Sequence, residues 1–158
     1  MSETACCGCG GRFPDIAGPT HPYMLSSPGC WAAYGEVLAR EYADPALFAA
    51  CHRLTVDAYA IQHPGNADDP RAVRSVWLHF AALHAVFAHG YALDAATGLL
   101  QRLAGQDFPA LPGPAPIWEV TLADLNAADH AAEMRRWAEG AYRGWRPLLA
   151  EAVERMIA

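Results

Sequence analysis

Apolar residues recur along this chain at helical spacing, and three of the segments that carry them open with the same two-residue device. "SSPGCWAAYGEVLAREYA" offers Ser27 as N-cap and Pro28 at the first helical position. "DPALFAACHRLTVDAYAIQHPG" repeats the device with Asp44 and Pro45, and "DPRAVRSVWLHFAALHAVFAHG" with Asp69 and Pro70. Each capping oxygen can accept from an orphaned backbone N–H, and proline loses nothing where that N–H would be unpaired anyway. Pro64–Gly65 is expected to stop the second helix and Gly90 the third. A fourth helix fits Ala92–Ala104, and the proline-rich "GQDFPALPGPAPIW" that follows reads as an irregular connection. Thr121 caps a short helical turn, and a long last helix is expected from Ala127 towards Ile157, kinked or split at Pro147. No segment alternates with period two for long enough to indicate a strand. The pattern predicts an all-α fold, a single helical bundle of about five helices over 27–158, preceded by an irregular cysteine-bearing arm over 1–26.

Composition supports one domain of 158 residues: 53% hydrophobic and 18% charged is neither a disordered chain nor a membrane protein. The longest apolar run, Val76–Leu93, carries three histidines and reads as buried helix, so no membrane span is expected. "MSETACCGCG" lacks a basic region and an apolar core, so a cytoplasmic location is the expectation. The net charge of −6, with 11 Lys and Arg against 17 Asp and Glu, gives no basic patch. Nucleic acid is therefore not an expected partner.

Five cysteines in a reducing compartment favour metal or redox chemistry over structural disulfides. Cys6-x-x-Cys9, inside "CCGCGG", has the spacing of half a zinc site, with glycines that allow a tight turn around one ion. Cys7 could compete as a partner for Cys9. For the second half, His21 lies in "GPTHPY", and Cys30 lies on the first turn of the first helix, where the helix dipole favours a thiolate. Cys6, Cys9, Cys30 and one histidine would satisfy zinc, or another transition metal. The competing readings are a redox dithiol and an inert tail. Cys51, inside "LFAACHRL", reads as a small buried hydrophobe.

On the second helix His52 and His63 point the same way but lie about 16 Å apart along the axis, so one ion cannot join them. His63, at the helix end in "QHPG", suits a proton carrier or a cap. His79, His84 and His89 are spaced by five, which turns successive side chains about 140° apart and forbids a chelate on one helix face. His79 is the one expected to face the second helix; a hydrogen-bonded core or surface role is the simpler reading for it, and more so for His84, His89 and His130. Asp57 sits mid-helix in "TVDAYA"; if buried it must be paired, and a histidine N–H or a metal would serve. No ExxH motif of the di-iron type, phosphate loop or nucleophile elbow is present.

Taken together, "CCGCG", "GPTHPYMLSSPGCWAAYGEVLAREY", "HRLTVDAYAIQHPG" and "SVWLH" resemble DUF5946, a bacterial family known as a domain of unknown function. The likeness covers most of Cys6–His79. It implies a shared site over Cys6, Cys9, His21, Tyr23, Cys30, Trp31, His52, Asp57, Tyr59, Gln62, His63 and His79, and it brings no activity. The chain departs from the family pattern through Cys7 inside the CxGC and through His84 and His89.

The candidate metal ligands are thus Cys6, Cys9, His21, Cys30, His52 and His79, and the candidate catalytic residues His63, Asp57 and Tyr59. The leading expectation is a zinc-binding protein, with room for an enzyme of hydrolase or lyase type acting on a small-molecule substrate through an open metal position. The alternative is a non-catalytic partner-binding or sensing module with a structural zinc, using Trp118, Trp137 and Trp145 as an interaction face. Core packing is the simpler reading of those tryptophans.

Overall fold

The computed structural model describes all residues, Met1–Ala158. Five helices dominate it: α1 (Pro28–Ala43), α2 (Pro45–Gln62), α3 (Pro70–His89), α4 (Leu93–Leu103) and α5 (His130–Ile157). Short 3-10 turns at Leu122–Asp124 and Ala127–Asp129 lead into α5. The capping device works as read. Ser27 accepts from the Cys30 N–H, Asp44 from Ala46 and Leu47, and Asp69 from Arg71, each with proline next in the chain. Gly90 closes α3 in the left-handed region at φ 69°, and Thr121 forms a capping box with Asp124. No helix is long and apolar enough to cross a membrane.

Two features depart from the pattern. The arm is not wholly irregular: β1 (Glu3–Ala5) and β2 (Arg12–Pro14) pair antiparallel, with Thr4 opposite Phe13. Strands of three residues are too short to show an alternation, and what holds them is burial of Phe13 against the bundle. Helix α5 also runs unbroken through Pro147. Pro147 is exposed, so the carbonyl that lost its N–H partner can turn to water, while buried Trp145, Leu149 and Val153 hold the inner face in place.

Helix α2 is the axis of the fold, packed against α1, α3, α4 and most extensively α5. Every residue from Asp57 to His63 is buried, as suits a segment with apolar groups on all sides. Burying a helix end strands its last carbonyls, and here the capping histidine and a side chain from α5 take them up. The Trp145 indole donates to the Ile61 carbonyl at 2.7 Å, and the His63 ring donates to that of Tyr59. Gln62 accepts from the Trp137 indole at 2.9 Å and donates to the Val120 carbonyl at 2.9 Å. Trp137 and Trp145 are therefore core residues with no exposed surface. Trp118 is half-buried and lies across Gly144 of α5.

That contact yields a paired prediction. Gly140→Ala, where an added methyl meets nothing, is expected to stabilise the protein by about 1 kcal/mol in urea denaturation through helix propensity alone. Gly144→Ala, one turn later, gains the same propensity but drives a methyl into the Trp118 ring. Its net effect is expected to be destabilising by about 1–2 kcal/mol.

Candidate metal centre

The hairpin turn Cys6–Gly11 delivers two sulfurs to one point. The Cys6 N–H donates to the Gly11 carbonyl at 2.8 Å and the Gly10 N–H to the Cys6 carbonyl at 2.9 Å, which closes the loop tightly. Gly10 makes this turn at φ 78°, a conformation that favours glycine. Gly8 is needed for a different reason. A side chain there would strike the Leu25 carbonyl and the His63 ring. The third sulfur, Cys30, comes from the first turn of α1, and the fourth donor, His63, from the C-cap of α2. The donor atoms of Cys6, Cys9, Cys30 and His63 all lie within 4.8 Å of one another, and all four residues are buried.

The surroundings are built for sulfur carrying negative charge. Backbone N–H groups of Gly8 and Ser27 donate to Cys6 Sγ, and that of Gly11 to Cys9 Sγ, each at 3.4 Å. The Tyr59 hydroxyl lies 3.5 Å from Cys30 Sγ. His63 is oriented by its other nitrogen. Nδ1 lies 2.7 Å from the Tyr59 carbonyl, which can only accept, so the proton sits on Nδ1 and the Nε2 lone pair faces the sulfurs. Nε2 is 3.3 Å from Cys30 Sγ.

Three crowded sulfurs cannot all ionise without a cation among them. Cys6 is pulled far below the ordinary thiol value, first by its contact with Cys30 and then by Cys9. Cys30 draws Cys9 down in turn, but Cys6 and burial outweigh it and leave Cys9 pushed up to about 12. Cys30 is pushed up as well, by Cys6, by Cys9 and by burial. A bound cation removes that conflict, and the cluster is geometrically compatible with a metal ion.

The other candidate residues go elsewhere. Cys7 is exposed and outside the cluster. His21 accepts from the Tyr23 N–H at 3.2 Å and sits edge-on to Tyr23 and Trp31. Its pKa is lowered by burial and by the charge of Arg71. His52 reaches Glu41 Oε1 at 2.8 Å and stacks on Phe48. His79 lies on Asp57 Oδ1 at 2.7 Å, facing α2. Asp57, fully buried, is also gripped by both ends of the Arg53 guanidinium. Tyr59 stacks on the His63 ring and touches Cys30.

Sequence reasoning attached no role to Glu41. It is fully buried and accepts from His52, from Thr55 at 2.6 Å and from His130 Nε2 at 2.6 Å, joining α1, α2 and the start of α5. The Cys51 thiol points at the same carboxylate at 3.5 Å, and burial with Glu41 pushes that thiol up to about 12. The signal for Glu41 is faint because "AREYAD" looks like a solvated helix end.

Fold and site together define a helical protein with a buried three-cysteine, one-histidine centre that ties an N-terminal hairpin to the bundle. The chain belongs to the family described as Family of unknown function (DUF5946), whose model matches residues 4–146. No curated protein and no solved structure matches it.

Glu41→Gln is expected to lower stability by about 2–3 kcal/mol, because an amide N–H must face one of the donors that the carboxylate accepts. Urea denaturation at pH 7 reads this change.

Proposed function

We propose that this chain is a zinc-binding protein whose Cys6–Cys9–Cys30–His63 centre is a closed structural site. Three thiolates and one imidazole form a donor set that zinc favours in structural sites, where protein atoms fill all four positions. Zinc–sulfur and zinc–nitrogen distances of about 2.3 and 2.0 Å give tetrahedral edges of about 3.5 Å. The 3.3 Å between Cys30 Sγ and His63 Nε2 suits such an edge. The observation that carries the reading is the Nδ1–H bond to the Tyr59 carbonyl, which leaves Nε2 free to bind. A bound ion would fasten the hairpin, the start of α1 and the end of α2 at one point.

A second reading is the metal-dependent enzyme acting on a small molecule. A 740 Å³ groove bordered by Cys6 and Cys9, with Arg12, Trp118 and Asp124 on its walls, favours it. It requires one of the four ligands to give way to water or substrate, and His63, Asp57 and Tyr59 to handle protons. The geometry supports the closed site better, because Asp57 is committed to Arg53 and His79.

Elemental analysis of purified protein is expected to find about one zinc per chain at this centre, lost in Cys30→Ser and in His63→Ala. With zinc at a thousand times its dissociation constant, binding adds about 4 kcal/mol, so stripping it is expected to lower Tm by about 8–16 °C. A chelated protein with unchanged Tm and no newly titratable thiols would overturn the proposal. Turnover of a small molecule that dies with the metal while Tm stays put would favour the second reading.

A further inference from the structure

A second group of donors meets far from the cysteines, where the end of α3 passes the end of α5. His84 Nε2 lies 2.6 Å from Glu154 Oε1, and His89 Nε2 lies 2.7 Å from the same oxygen. The spacing of five forbids two histidines from sharing a helix face, yet these two share a partner. Residue His89 closes α3, and α5 brings Glu154 to both rings, which stand 5.3 Å apart at an angle of 74°. A partner helix can gather side chains that their own helix splays.

The inner ligand is held in place. His84 is buried at 3% exposure, and its Nδ1 lies 2.9 Å from the Tyr142 hydroxyl. That contact fixes the ring and presents Nε2 to the outside, the arrangement by which a ligating imidazole is oriented from behind. Glu154 and His89 are exposed, so the oxygen and the second nitrogen can shift by the fraction of an ångström that an ion needs.

We propose that His84, His89 and Glu154 form a second metal site, which takes a divalent first-row transition ion such as Zn²⁺ or Co²⁺ and leaves its remaining positions to water or a small anion. Two imidazoles and one carboxylate are borderline donors suited to that series. Three protein ligands make an open site, unlike the four-ligand cysteine centre. The ion would take the place between Glu154 Oε1 and the two Nε2 atoms, and a His84 ring bound through Nε2 carries its proton on Nδ1, where the Tyr142 oxygen can accept it. The ion would also pin the last turns of α3 and α5 together.

The test uses the full chain as purified, titrated with Co²⁺ and separately with Zn²⁺, and compares wild type with His89→Ala and Glu154→Gln. Both substitutions fall on exposed positions, so the fold is retained. Uptake at this site is read as metal bound without sulfur-to-cobalt charge transfer, which separates it from the cysteine centre whether or not that centre is filled. We expect such uptake in wild type, weakened at least about tenfold to a hundredfold in each variant, with any thiolate–cobalt absorption unchanged. The proposal is overturned if wild type binds no ion outside the thiolate centre, or if both variants bind it as tightly as wild type.

Discussion

A helix cannot end inside a protein unless something accepts responsibility for its last carbonyls, and the buried end of α2 organises this molecule around that requirement. Two side chains answer it, the Trp145 indole on Ile61 and the His63 ring on Tyr59, and beside them Gln62 bridges Trp137 to the Val120 carbonyl. The Trp145 and Gln62 contacts lock α5 across α2. The His63 bond turns a capping histidine into an oriented donor. The same bond that satisfies the Tyr59 carbonyl decides which nitrogen faces Cys30, so the packing of the core and the chemistry of the centre are one arrangement.

Buried carboxylates follow the same logic of full satisfaction. Glu41 and Asp57 are both fully buried, which costs several kcal/mol per charge unless the lone pairs are used. Each is met by more than one donor from more than one helix. Glu41 collects His52, Thr55 and His130; Asp57 collects Arg53 and His79. These networks fix the relative register of α1, α2, α3 and α5 more sharply than apolar packing could, since a one-turn slip would strand a charge. They also explain why His52 and His79, though carried on the same helices as the centre's neighbours, serve carboxylates rather than sulfur.

Helix starts were legible because capping chemistry is local: a Ser or Asp and the proline after it act within four residues. The three sulfurs of the centre were legible for a similar reason, since Cys6 and Cys9 share a turn and Cys30 occupies a helix start. The histidine was not. His21 stands nearer to Cys30 in sequence, whereas His63 arrives through the packing of α2 against α1, and periodicity says nothing about that distance. The hairpin escaped notice because three-residue strands have no period to read. Pro147 misled in the other direction: intrinsic propensity forecasts a break, and burial of the opposite face overrides it.

The two donor clusters lie on different elements, the cysteine centre on the hairpin, the start of α1 and the end of α2, and the other near the ends of α3 and α5. Gly65, just past His63, lies against Ala72 near the start of α3, and His84 follows fourteen residues after Pro70, about 20 Å along the axis. They share no side chain. Sites so separated perturb stability almost additively, so the contribution of each can be read without correcting for the other. Their chemistries divide along the same line. Sulfur, burial and four protein donors favour a held ion at the hairpin; nitrogen, a carboxylate and solvent favour an exchangeable one where α3 meets α5. A chain whose core already closes around α2 does not need the second ion to fold, which leaves that position free to respond to its surroundings.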